Sequence, residues 1–147
     1  MNWRKLVLVA IFAGLGSNTA FAQSTLGELL DAGAVKLSKQ EVLATVTGAN
    51  VSGPRAGGTT EADYKADGTY SGSYEGAPGA RGAAKGGGFF GKWTVDDSGK
   101  LCTEGSGGSG KPTASCAYYF RSGEQLYAAF GSDSDRSAVV TKRTVKR

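Results

Sequence analysis

Histidine is absent from the 147 residues, and this absence excludes several designs of active site. Without histidine the chain cannot form a Ser-His-Asp triad or a Cys-His pair, and it lacks the commonest side-chain ligand of transition metals. We therefore predict neither a metal site nor a cofactor.

Long apolar runs are also scarce, and the most prominent one lies near the N-terminus, after a basic start. The apolar stretch 6–16 is too short to span a bilayer, and Ala20-Phe21-Ala22 has the small-x-small pattern that signal peptidase cleaves. These features predict a signal peptide over residues 1–22, cleaved before Gln23, and a single exported domain over 23–147. We expect the mature protein to be periplasmic or secreted, without a transmembrane segment.

Only two cysteines are present, Cys102 and Cys116, and both lie in the part of the chain predicted to be exported. Two cysteines at this spacing in an oxidising compartment most simply form a disulfide. Closing a loop of this size stabilises the folded state by about 3 kcal/mol in the chain-entropy model.

The net positive charge comes from the two ends of the chain. Of the 17 basic residues, two precede residue 23 and four lie in the last six positions, which leaves 11 basic residues against 13 acidic ones. A nucleic-acid-binding face is therefore not expected. The C-terminal residues Lys142, Arg143, Lys146 and Arg147 form a basic tail over 142–147. This tail either contacts a polyanion or anionic lipid, or forms an edge strand whose charges discourage pairing with other sheets.

Two short helices are predicted near the start of the mature chain. Thr25-Leu-Gly-Glu28 and Ser38-Lys-Gln-Glu41 fit the capping box, in which side chains bond the free amides of a first helical turn. Leucines and valines follow each box at helical spacing, and Gly33 and Gly48 are suitable helix ends. Helices this short need a sheet to pack against.

Strand signals begin at about residue 59. The dipeptide Asp67-Gly68, between tyrosine-containing segments, predicts a hairpin turn. Further strands are predicted over 89–95, 100–103, 115–121, 125–130 and 137–145. The glycine-rich stretches 76–88 and 104–114 are interpreted as flexible loops. The predicted class is α+β: one or two N-terminal helices on an antiparallel meander of five to seven strands, with a partial barrel as one form of that sheet.

Four short motifs resemble those of a family of small exported proteobacterial proteins. The motifs are Tyr64-x-x-Asp67-Gly68-Thr69, Gly91-x-Trp93-x-Val95, Asp97-Ser-Gly99-Lys-Leu101-Cys102 and Cys116-x-x-Tyr119. The family is a domain of unknown function, best represented in Rhizobiales-type bacteria, and the similarity covers about residues 35–130. The resemblance implies the fold and an exported location, and it implies no activity.

The segment Gly105 to Lys111 comes close to a phosphate-binding loop but departs from it in two ways. Pro112 stands where the loop needs a serine or threonine for magnesium, and a strand-like run follows where a helix is needed. We interpret the segment as a hairpin tip between Cys102 and Cys116.

Four carboxylates near the aromatic strands are candidates for a catalytic pair. The candidates are Asp96, Asp97, Glu75 and Glu104. A hydrolase needs two carboxyl groups facing each other across a cleft, whereas Asp96 and Asp97 stand side by side in a turn-like sequence. Asp133-x-Asp135 has the spacing of a calcium loop without its closing glutamate, so a polar turn is the preferred interpretation.

Adjacent aromatic residues on the predicted strands must point to opposite faces of the sheet, because side chains alternate along a strand. One member of each pair therefore covers the helices, a second layer or a ligand groove. The candidate ligand surface consists of Phe90, Trp93, Tyr118 and Phe120.

Two functions remain open from the sequence. The first is a non-catalytic module that binds an envelope protein or a small apolar ligand through the aromatic face of the sheet. The alternative is a hydrolase that acts on a cell-envelope component through carboxylates.

Overall fold

The computed structural model describes residues 25–55, 57–81, 85–108 and 110–147. The predicted signal peptide over 1–22 lies outside the described residues. In chain order the elements are α1 (Leu26–Asp31), β1 (Val35–Lys36), α2 (Lys39–Val46), β2 (Ala49–Arg55), β3 (Gly58–Tyr64), β4 (Thr69–Glu75), β5 (Gly86–Val95), β6 (Leu101–Gly107), β7 (Pro112–Ser122), β8 (Gln125–Phe130) and β9 (Val140–Lys146).

Strands β2 to β9 form a closed antiparallel barrel in which each strand pairs with the next along the chain. The barrel closes because β9 also pairs with β2, with Val145 opposite Val51. The two-residue strand β1 lies beside β7, with Val35 opposite Arg121. The predicted antiparallel meander is confirmed, but the described part of the chain has more strands than the predicted five to seven, and its sheet is closed.

Both helices begin as predicted. Thr25 and Ser38 each accept a hydrogen bond from the amide of the glutamate three positions later, and that glutamate bonds back to the cap. The backbone then turns at Gly33 and Gly48, which have φ values of 88° and 71°. These values are in the left-handed region that favours glycine.

The barrel interior and α2 form the larger of two hydrophobic clusters. Val42 and Val46 of α2 are fully buried and belong to the same cluster as Tyr64, Trp93 and Leu101 of the barrel. The helix therefore closes one end of the barrel, next to the turns β3–β4, β5–β6 and β7–β8. The opposite end carries the other connections between strands.

A second cluster lies on the outside of the barrel, between α1 and strands β7 to β9. Leu26 and Leu29 of α1 pack with Tyr118 and Phe120 of β7, and Phe120 is 1% exposed. Tyr119, between them in sequence, belongs to the interior cluster instead. The predicted separation of adjacent aromatic residues onto two faces is thus found in β7, and α1 covers the outer one.

Both predicted loops contain strand residues in the part of the chain that the structure describes. Residues Gly86 to Gly88 belong to β5, and Gly105 to Gly107 belong to β6, while Pro112 to Ala114 begin β7. Glycine is used here for close approach, because a Cβ on Gly91 or on its partner Gly105 would collide with the neighbouring strand. The glycine content that suggested loops instead permits tight pairing in the barrel wall.

Candidate ligand-binding site

The barrel contains a cavity of about 800 Å³ at the end opposite α2. Its apolar and aromatic wall includes Val51, Ala62, Tyr64, Tyr70, Phe89 and Tyr119. Alternation places these side chains inside, because residues two apart on a strand share a face. Small-molecule sites in proteins typically measure about 300–1,000 Å³, so this cavity is large enough for one small ligand.

Glycines keep the mouth of the cavity open. Gly87 lies opposite Tyr74 on the inner face, and a Cβ added to Gly87 would meet no atom within 4 Å. Gly107 lies opposite Phe89 on the neighbouring strand pair, and its added Cβ would be 3.9 Å from Thr113. Described glycines of the two glycine-rich stretches, Gly86 to Gly88 with Gly107 and Gly108, therefore lie at the rim of this opening.

Arg143 is a buried charged residue at this cavity, with 6% of its surface exposed. Its Nη1 donates a hydrogen bond to the carbonyl oxygen of Pro54 at 3.3 Å, and its guanidinium carbon lies 5.6 Å from the centre of the Phe130 ring. Burial lowers the pKa of the guanidinium from its ordinary value of 12.5. The group nevertheless remains charged at neutral pH, as arginine does in proteins generally.

Tyr64 and Tyr119 are 8% and 4% exposed and bring phenolic groups to the same cavity. Burial raises the pKa of both phenols, and the positive charge of Arg143 opposes this rise. Both hydroxyls therefore stay protonated at neutral pH and can donate hydrogen bonds. The Tyr64 ring also stacks on Tyr70, with ring centres 6.0 Å apart.

The charge of the cavity wall is entirely positive among the described lining residues. Arg143 and the exposed Arg55 line it, and no aspartate or glutamate does. The three ion pairs of the described chain lie elsewhere: Lys36–Asp133, Lys39–Asp97 and Asp31–Arg136.

The four aromatic residues predicted as a ligand surface occupy three different environments. Phe90 is on the outer face of the barrel and 65% exposed. Tyr118 and Phe120 are covered by α1. Trp93 is buried inside, where its ring meets that of Tyr64 edge-on at 5.7 Å and its Nε1 donates to the carbonyl of Lys65. The structure therefore does not bring the four together on one surface.

None of the four carboxylates considered for catalysis lines the cavity. Asp96, Asp97, Glu75 and Glu104 are all exposed. Asp96 accepts hydrogen bonds from Ser98 and from the amide of Lys100, which lowers its pKa and fixes the β5–β6 turn. The four side chains belong to three separate elements, β4, the β5–β6 turn and β6.

The two carboxylates of Asp133-x-Asp135 have different partners and do not form one site. Asp133 forms an ion pair with Lys36 at 2.7 Å, which lowers its pKa. Asp135 accepts hydrogen bonds from the hydroxyl and the amide of Ser137. Within the described ranges, no group of histidine, cysteine and acidic residues could hold a metal ion.

The predicted disulfide is confirmed. Cys102 of β6 and Cys116 of β7 are directly opposite each other, with 4.1 Å between their Cα atoms. Disulfides are characteristic of exported proteins. Among the described residues, no helix is long and apolar enough to cross a membrane.

The C-terminal residues differ from the predicted tail. They form β9, which pairs with β8 on one side and β2 on the other, so it is not an edge strand. Arg143 points into the barrel, whereas Lys142 and Lys146 are exposed on it. The sequence analysis places Arg143 in a basic tail and misses it as a residue of the barrel interior, although the alternation of Thr141, Arg143 and Val145 is a signal for one shared face.

Comparison with known proteins finds no relative whose site could be compared with this cavity. No family model matches the chain, and no curated protein or solved structure is significantly similar to it. The function must therefore be argued from the cavity itself.

Proposed function

We propose that this chain is a non-catalytic, exported binding protein whose barrel interior holds a small, largely apolar ligand. The observation that carries the proposal is the cavity of about 800 Å³, which is closed by α2 at one end of the barrel and open at the other. An eight-stranded barrel is just wide enough either to be filled by side chains or to hold one small ligand.

The residues of the wall favour a binding role. Tyr64, Tyr70 and Phe89 give the cavity aromatic surface, which supplies large apolar contact area with few rotatable bonds. The proposed binding surface is the inside of the barrel, in place of the aromatic sheet face expected from the sequence. The disulfide and the predicted signal peptide support an exported location, and membership of the family of small exported proteins rests on the motif residues alone.

A titration with N-phenylnaphthylamine, an uncharged fluorophore that brightens in apolar surroundings, tests the proposal. We expect saturable binding at one site per chain. In the variant Gly87→Leu, the new side chain enters open space at the cavity mouth. We expect it to weaken binding by about tenfold or more, because it occupies volume that the ligand needs.

Gly88→Leu is the matched control. Gly88 is the next residue of β5, its added Cβ would make only an ordinary contact at 3.8 Å, and alternation directs it to the outer face. This variant should bind the fluorophore as the wild type does. Equal binding by both leucine variants would contradict a site inside the barrel.

A further inference from the structure

The barrel interior holds one permanent positive charge for which the described chain supplies no counter-charge. Arg143 is more than nine-tenths buried, and its guanidinium makes a single hydrogen bond, to the carbonyl of Pro54. A guanidinium has five N–H donors, so four of them have no partner among the described residues. These donors open onto the cavity, since Oγ1 of Thr141 is the only fully enclosed side-chain nitrogen or oxygen atom without a partner among the described residues, so an anion in the cavity could pair with the charge.

Two further donors face the same space. The hydroxyls of Tyr64 and Tyr119 make no hydrogen bond to another described residue, although both side chains are more than nine-tenths buried. A buried tyrosine hydroxyl usually has a hydrogen-bond partner. The cavity therefore presents one buried cation and two neutral donors within an aromatic wall, and the second lining cation, Arg55, is exposed.

We propose that the ligand carries a single carboxylate, which the guanidinium of Arg143 binds with help from the hydroxyls of Tyr64 and Tyr119, while its apolar body contacts the aromatic wall. This inference rests on the proposed function and specifies the ligand class. A carboxylate matches the planar guanidinium in two parallel hydrogen bonds. Its one negative charge balances the one buried positive charge, whereas the second charge of a phosphate dianion would meet only the exposed Arg55, where solvent weakens the attraction.

A competition experiment with three compounds of equal chain length tests the ligand class. Decanoate, decanol and decyl phosphate are compared as competitors of N-phenylnaphthylamine, and decanoate binding is also measured directly by calorimetry. We expect decanoate to bind about 10- to 100-fold more tightly than decanol, since hydrogen bonds to charged groups contribute about 1.5–3 kcal/mol. Decyl phosphate should bind more weakly than decanoate.

Variants at β9 test the role of Arg143. Arg143→Met keeps the length of the side chain and removes the charge, so decanoate should lose its advantage over decanol. Lys142→Met is the matched control, because Lys142 is the neighbouring cation on the exposed face. It should leave the preference unchanged. Arg143→Lys should retain part of the preference, because the charge remains and the paired hydrogen bonds do not.

The outcomes separate the two proposals. If the fluorophore binds inside the barrel but decanoate and decanol compete equally, the carboxylate inference is wrong and the proposed function stands. Stronger competition by decyl phosphate would also overturn the inference. If the fluorophore does not bind, calorimetry of decanoate decides, and the absence of heat with decanoate rejects both. The wild-type comparison remains decisive even where Arg143→Met does not fold.

Discussion

Gly53 leaves the space that the Arg143 side chain occupies: a Cβ at position 53 would lie 2.5 Å from Nη1 of Arg143 and 3.0 Å from its Cδ. The same Cβ would collide with the carbonyl oxygen of Lys142. The absence of a side chain at residue 53 therefore allows an arginine to lie inside the barrel between β2 and β9. Sequence proximity gives no indication of this pairing, which arises only when the barrel closes.

Gly53→Ala should therefore lower the free energy of unfolding by about 1–3 kcal/mol, as overpacking of a tight interior does. It should also weaken decanoate binding, because the guanidinium must move. Denaturation in urea measures the first effect and calorimetry the second. Gly107→Ala is the control: its Cβ would be 3.9 Å from Thr113, an ordinary contact, so its stability should stay within about 0.5 kcal/mol of the wild type. Equal losses in both variants would contradict the role of Gly53.

The disulfide should stabilise the fold without contributing to the site. Cys102 and Cys116 lie on the outer face, since their neighbours Leu101 and Ala117 line the cavity. Replacing both cysteines by serine should lower the free energy of unfolding by about 3 kcal/mol, by analogy with loops of this length. Urea denaturation with and without reductant measures this, and the reduced wild type should match the double variant. Decanoate affinity should not change. A large change would contradict the inference that the disulfide does not contribute to the binding site.

Features that depend on a few adjacent residues could be predicted from the sequence. The two capping boxes, the turn at Asp67-Gly68 and the disulfide are all present. In that turn the Asp67 carboxylate accepts hydrogen bonds from the amide and the hydroxyl of Thr69, and these lower its pKa. The capping boxes and the turn depend on residues that are close together in the sequence. The disulfide is indicated by the presence of two cysteines at a suitable spacing.

Features that depend on distant pairing could not be predicted. Strand β2 was missed because Gly53 and Pro54 are poor strand formers, and β2 is stabilised by pairing with β3 and β9. The strand parts of the two glycine-rich stretches could not be predicted, because the role of glycine in close strand approach appears only in the folded sheet. The cavity was missed for the same reason, since its position depends on how the barrel closes and on α2 at one end.

Two phenylalanines on the outer face should differ sharply in their contribution to stability. Phe120 is 1% exposed beneath α1, whereas Phe90 is 65% exposed on β5. Phe120→Ala should lower the free energy of unfolding by about 3–5 kcal/mol, because it leaves a cavity between the helix and the sheet. Phe90→Ala should change it by no more than about 0.5 kcal/mol. Denaturation curves of the two variants test this, and a costly Phe90→Ala would indicate that Phe90 is covered in solution.

The buried phenols at the site predict a loss of stability in alkaline solution. Burial raises the pKa of Tyr64 and Tyr119 above the ordinary value of 10.0 in the folded protein, with Arg143 opposing the effect only in part. The folded state therefore holds these two protons more tightly than the unfolded state does. The resulting stabilisation is complete below about pH 10 and is lost as the pH rises further, by about 1.4 kcal/mol per pH unit for each tyrosine.

The variant Tyr64→Phe isolates this contribution from those of other groups that titrate in alkali. Its free energy of unfolding should fall less steeply above about pH 10 than that of the wild type, by the share of one phenol. Urea denaturation across about pH 8 to 11 measures both slopes. Absorbance of tyrosinate gives an independent check, because Tyr64 and Tyr119 should resist ionisation among the six tyrosines until the chain unfolds. Identical slopes in the two proteins would show that the Tyr64 hydroxyl is reached by solvent through the mouth of the barrel, and that the cavity is wetter than its aromatic wall implies.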